Sequence, residues 1–251
     1  MSQSFKLHFK ALILMSHLLV KPQIAFRPRT IRSYVRREGR ITTRQQLALN
    51  SLWEKFGLNP NVSLSDLTTA FVQNAPCILE IGFGMGHSLL TMAKIMPEWN
   101  FIGIEVYRPG IGSLLAELAV QRISNVRVYC ADAQEVLIQC LPDASLQGIQ
   151  IFFPDPWPKK RHHKRRLINT DFARLLSDKL QGGGYLHIAT DWQDYAQQML
   201  QIVSEVADFH NPYAAGFAPR PATRPITKFE QRSEKLGHAV WDLIVFKREN
   251  C

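Results

Sequence analysis

The sequence is short of several things, and each shortage closes off a class of protein. Only four cysteines occur in 251 residues, Cys77, Cys130, Cys140 and Cys251, with no Cys-x-x-Cys pair and no regular short spacing. That excludes a disulfide framework or a structural zinc site and fits reduced thiols in a cytoplasmic protein. No apolar run is long enough to cross a bilayer; the longest, within "KALILMSHLLV", is too short. That segment has the charged-then-apolar order of a signal peptide but no small-residue cleavage site after it, so it reads as a dispensable leader, with Met15 as an alternative start. His162 and His163 lack the His-Glu-x-x-His pattern of a metal site, no Ser/His/Asp or Cys/His set stands out, and there is no internal repeat.

What is present is a chain that is 46% hydrophobic, enough for a substantial core, with a formal net charge of +9. One α/β domain of this length is favoured over two small ones. Clustered Lys and Arg attract phosphates and release counterions, so an anionic partner is expected, nucleic acid ahead of a membrane surface. From Arg27 to Arg44 arginine recurs every few residues with little to pack, which describes a solvated arm. Residues 1–42 are read as leader and basic arm, partly disordered, and 43–251 as the main domain.

A helix is expected over Thr43 to Phe56, stopped by Gly57. After Pro76, short apolar runs alternate with longer amphipathic stretches: "CILEIGF", "NFIGIEV", "VRVYCAD", "LQGIQIFFPD" and "GGYLHIATD" read as strands with helices between them. This predicts a doubly wound, mostly parallel Rossmann-like sheet, closed by "HAVWDLIVFKR" as an antiparallel C-terminal edge strand.

In such sheets ligands bind beyond the carboxyl ends of the strands. There the sequence places Glu80 in a Glu-x-Gly-x-Gly-x-Gly motif with Gly82, Gly84 and Gly86, then Glu105, Asp132 and Asp155 at successive strand ends. Glycines permit sharp turns and close approach of backbone to ligand. An acid about twenty residues after the loop can accept both hydroxyls of a ribose. A dinucleotide would use the same geometry, but its pyrophosphate would be repelled by this many carboxylates, whereas a sulfonium cofactor with an amino group would be attracted. The reading is therefore S-adenosyl-L-methionine, with a nicotinamide-dependent oxidoreductase and a non-catalytic RNA-binding module as rivals. Asp132 and Asp191 have helix capping as their alternative role.

In "IFFPDPWPKKRHHKRRL", Pro154 and Pro156 restrict the backbone on both sides of Asp155, Trp157 offers a face for stacking on a base or a lid over the core, and a basic run follows that can grip phosphates. Together with "LEIGFGMG", "ATDW" and "RPITKFEQRSEKLGHAVWDLIVFKR", this loop resembles the bacterial tRNA (guanine-N7-)-methyltransferases over about Arg29 to Arg248. The resemblance implies methyl transfer from S-adenosylmethionine to a variable-loop guanine of tRNA, with Glu80, Glu105, Asp132 and Asp155 at the cofactor and Asp155 also catalytic. It implies Lys159, Asp191, Thr227, Lys228, Phe229 and Glu230 at the substrate, and Arg161, His162, His163, Lys164, Arg165 and Arg166 facing RNA. Pro158 departs from the polar residue expected in relatives. No metal, membrane or obligate protein partner is implied, and the chain is expected to be a monomer or homodimer.

Overall fold

The central sheet has seven strands: β1 (Cys77–Ile81), β2 (Asn100–Glu105), β3 (Val126–Cys130), β4 (Leu146–Phe152), β5 (Leu180–Thr190), β6 (Phe209–His210) and β7 (Trp241–Lys247). Their order is β3-β2-β1-β4-β5-β7-β6, parallel except that β7 runs antiparallel to both its neighbours. The computed structural model describes residues 32–34, 39–227, 230, 237 and 239–249. Lys228, Phe229 and most of the arginine-rich arm lie outside them. Residues 33–251 form a compact unit.

Helices cover both faces because the central strands are buried on both sides, β1 at every position and β2 at all but its last. Helices α1 (Thr43–Phe56), α2 (His87–Ile95) and α3 (Arg108–Val120) enclose one core around Phe56, Ile78, Leu89, Phe101 and Leu115. On the opposite face, α4 (Ala133–Gln139), α5 (Thr170–Lys179) and α6 (Gln193–Ser204) bury Leu79, Ile151, Phe172, Tyr195 and Leu243. Helix α1 starts on a capping box in which the Thr42 hydroxyl accepts from Gln45 N and the Gln45 side chain accepts from Thr42 N. It ends at Gly57, as expected, although there the backbone is extended rather than left-handed.

Two details differ from the sequence reading. Strand β5 begins at Leu180, three residues before the expected start, because Leu180 pairs with Leu146 before a register shift over the glycines brings Tyr185 opposite Gly148. The antiparallel C-terminal strand is present, and the two-residue β6 pairs along part of its outer side. The chain builds β1, β2 and β3 outward and then returns to place β4 beside β1. This reversal opens a crevice at the carboxyl ends of β1 and β4, which is where the site lies.

Candidate active site

At the end of β1 the chain turns through Gly82, Gly84 and Gly86, all left-handed with φ of 76°, 57° and 80°. A Cβ on Gly82 or Gly84 would project into open space, whereas one on Gly86 would stand 2.8 Å from the Leu114 side chain. The loop is pinned by Glu105 at the end of β2, whose Oε2 accepts from Gly84 N at 2.8 Å while Oε1 accepts from Val106 N and Tyr107 N at 2.6 and 3.0 Å. Gly110 in α3 is what admits the loop: a Cβ there would lie 2.0 Å from the Gly84 carbonyl oxygen. A cavity of about 260 Å³ opens above, lined by Gly82, Gly84 and Glu105 on one side and by Phe153, Pro154 and Asp155 on the other. Its remaining walls include apolar groups such as Ile104, Ala131 and Leu167, a mixture suited to an adenosine moiety.

The turn carrying Asp155 is held by more than its two prolines. Phe153 and Trp157, on either side, have φ of 53° and 47°, left-handed values that non-glycine residues seldom adopt and that concentrate at functional sites. Phe153 N donates to the Ala189 carbonyl of β5 at 2.8 Å. Asp155 itself is exposed at the cavity mouth. The Trp157 indole donates to the Ser33 carbonyl at 3.1 Å, and its ring lies against His162 edge-on and under the Arg165 guanidinium. Ser33 and Tyr34 line the same cavity, so Trp157 ties this stretch of chain to the roof of the pocket.

The four acids expected to share the rim divide into two pairs. Glu105 and Asp155 meet at the cavity, while Glu80 and Asp132 do not line it. Glu80 precedes the strand end by one position, and alternation turns it to the other face, where it is only 3% exposed. Burial pushes its carboxyl up to about 8; Ser88 opposes the rise and Glu105 adds to it. The expected rim position is thus taken by Ile81, and Glu80 sits behind it. Asp132 caps α4, its carboxylate accepting from Gln134 N at 2.8 Å. Its neighbours Ala131 and Ala133 reach the cavity.

Beyond Trp157 the basic run forms a 3₁₀ turn, Lys160–Arg165. Lys159, Arg161 and Lys164 are exposed, and His162, His163 and Arg165 are half-buried. Arg166 corrects an expectation: it is buried, and does not face outward. Its Nε donates to the Pro156 carbonyl at 2.9 Å, Nη2 reaches Asp194 at 2.6 Å, Nη1 reaches Gln198, and its face lies over the Tyr195 ring. Burial lowers the His162 pKa, with Arg161, Arg165, Lys159 and Lys164 acting in the same direction.

Asp191 follows β5 at the same end of the sheet and is half-buried. Thr227 accepts from Glu230 N at 3.1 Å. Glu230, expected at the substrate, is 1% exposed and does not line the cavity. Both its oxygens bond to the buried Arg224, at 2.7 and 2.8 Å, and Oε1 also lies 3.0 Å from Arg220 Nε. Arg224 in turn meets Asp242 of β7, whose Oδ1 is 2.7 Å from His187 Nε2 of β5. Burial raises the Asp242 pKa but His187 and Arg224 outweigh it, leaving the group below its ordinary value; burial depresses His187 despite the pull of Asp242. Nothing in the linear sequence marks His187 or Asp242, because they are paired by strand neighbourhood alone. Among the described residues no cluster of His, Cys, Asp and Glu could hold a metal ion, and no helix is long and apolar enough to cross a membrane.

A family model described as a putative methyltransferase matches residues 74–243. The tRNA (guanine-N(7)-)-methyltransferase of Sodalis glossinidius is 54% identical over 220 residues, covering 87% of this chain and 92% of its own. The protein of that name from Pseudomonas aeruginosa is 52% identical over 216 residues, covering 86% and 88%. Among solved structures, the 16S rRNA methyltransferase KamB aligns with a TM-score of 0.52 at 14% identity, over 74% of this chain and 94% of that one, a likeness of fold. With relatives more than half identical over most of both chains, the chain belongs to the tRNA (guanine-N7-)-methyltransferase family.

Proposed function

We propose that this chain transfers a methyl group from S-adenosyl-L-methionine to N7 of a guanine in the variable loop of tRNA. The observation that carries the reading is the junction of the glycine cradle and Glu105 with the rigid Asp155 turn in one cavity, beside an exposed basic segment. The open space beside Gly82 and Gly84 fits the cofactor's backbone-hugging portion, and Glu105 is the acid placed to accept ribose hydroxyls. When bound, the cofactor supplies a sulfonium methyl whose bond to sulfur breaks as the bond to guanine N7 forms, moving the positive charge to the purine.

Guanine N7 has an in-plane lone pair, so no proton need be removed first, and the protein's work is alignment and electrostatics. Asp155 is the residue assigned to hold the guanine edge or balance the charge that develops on it. Lys159, Asp191, Thr227, Lys228 and Phe229 are assigned to the substrate nucleotide. Arg161, His162, His163, Lys164 and Arg165 are assigned to the tRNA backbone, joined by the arginine-rich arm within residues 1–42, with residues 43–251 as the methyltransferase domain. Reduced thiols at Cys77, Cys130 and Cys140 agree with a cytoplasmic setting.

The test is incubation of the protein with labelled S-adenosylmethionine and tRNA lacking the modification, followed by mass spectrometry of the nucleosides. N7-methylguanosine at one position is expected. Label on an exocyclic amine, or none on tRNA, would overturn the reading.

A further inference from the structure

We propose that Arg224 is a positioning residue for methyl transfer, fixing from one buried guanidinium both the Phe152–Asp155 turn and Glu230, whose backbone N donates to Thr227. The inference rests on the function proposed above and assigns a role to a group that touches neither ligand.

Arg224 is 2% exposed, and its polar atoms are turned to two carboxylates. Nη1 and Nη2 bond to the two oxygens of Glu230, while Nη2 and Nε lie 3.1 and 2.8 Å from Asp242. The same guanidinium lies 5.9 Å from the ring centroids of both Phe152 and Phe153. Phe152 is further braced edge-on by His187, which bonds to Asp242. One planar cation therefore joins the loop that carries Thr227 to the aromatic pair that leads into Asp155.

Phe153 gives this connection its consequence. Its left-handed backbone costs energy and persists only where the surroundings over-determine it. The hydrogen bond to Ala189 holds its backbone, and the Arg224 guanidinium over its ring adds a restraint on the side chain. The charge in the cluster is balanced by Arg220 and Arg224 against Glu230 and Asp242, with burial favouring neutral His187. Packing alone does not call for such a cluster, since buried ion pairs are often replaced by apolar residues without loss of stability. A planar fork is needed here: lysine would keep the charge but could neither span two carboxylates nor stack on two rings.

The test uses the full-length chain with Arg224→Lys, Phe153→Leu and the double variant. It measures single-turnover methyl transfer at saturating tRNA and cofactor, tRNA affinity across a salt series, and thermal melting. Displacement of a reacting partner by about 1 Å can slow a reaction on the order of 100-fold. Arg224→Lys is expected to slow transfer by that order while tRNA affinity and its salt slope stay at wild-type values, and the two substitutions should be non-additive. A transfer rate within about twofold of wild type, or a shallower salt slope showing a phosphate contact, would overturn the proposal. Should Arg224→Lys melt below the assay temperature, Glu230→Gln replaces it, because it keeps the side-chain shape and loses the charge; strict additivity with Phe153→Leu would then sink the idea. A wild-type chain that transfers no methyl to tRNA defeats the functional reading itself, a result distinct from an active wild type with indifferent variants.

Discussion

The Nε of Arg166 donates to the carbonyl of Pro156 at 2.9 Å, so the last arginine of the basic run belongs to the turn that presents Asp155. Its two Nη groups tie that turn to Asp194 and Gln198 on α6. Neighbouring cations in one sequence cluster are thus separated by burial, Arg166 inside and Arg161 and Lys164 exposed.

Replacing Arg166 by Ala is expected to destabilise the fold by about 1.5–3 kcal/mol, the usual worth of hydrogen bonds to a charged group. Chemical denaturation measures it. The slope of log tRNA affinity against log salt should not change. Arg161→Ala, at an exposed position, should leave stability within about 0.5 kcal/mol and reduce the steepness of that slope by about one phosphate contact. Interchanged results for the two variants would refute the division of labour.

Asp155→Asn removes a charge from an exposed carboxyl at the cavity mouth. Melting should be nearly unaltered, while single-turnover transfer with saturating tRNA falls on the order of 100-fold. An unchanged rate would remove Asp155 from the reacting site.

Glu80 gives a pH signature. Its carboxyl rises from an ordinary 4.5 to about 8 in the folded chain, so the folded state holds the proton more tightly than the unfolded one. Its contribution is fully present below 4.5 and is lost as pH rises toward about 8. Glu80→Gln should therefore gain stability over wild type as pH is raised from 5 to 8, by on the order of a few kcal/mol at the upper end. Parallel stability curves for the cofactor-free proteins would show that Glu80 is not desolvated.

The glycines of the loop should fail in different ways. Gly84→Ala places a methyl group in open space at the cavity and in a left-handed conformation costing about 1–2 kcal/mol. S-adenosylhomocysteine binding, followed by calorimetry, should weaken on the order of tenfold or more. Gly86→Ala adds a 2.8 Å approach to Leu114, so its main effect should be on folding, by roughly 1–3 kcal/mol beyond the backbone strain. Equal effects of both changes on binding and on melting would argue against this assignment.

The alternation of strands and helices was legible because it rests on local periodicity. So was the placement of glycines and acids near strand ends, since the apolar runs stop there. The side to which each acid points was less legible. Glu80 and Ile81 are adjacent, yet Ile81 lines the cavity and Glu80 is buried away from it. Nothing in the sequence distinguishes Gly110 from an ordinary helix glycine, yet the Gly84 carbonyl occupies the space a side chain there would need.

The sequence by itself determined the parallel sheet, its glycine loop, the rigid acid between prolines and the surplus of positive charge, because backbone sterics, apolar period and net charge are properties of short segments. Only the tertiary structure decided that Glu105 and Asp155 share a cavity, that Arg166 turns inward, and that Arg224 bonds to Glu230 and also to Asp242, 18 residues further along the chain. These outcomes depend on which strands become neighbours and which groups lose water there, and desolvation is settled by the whole packed molecule.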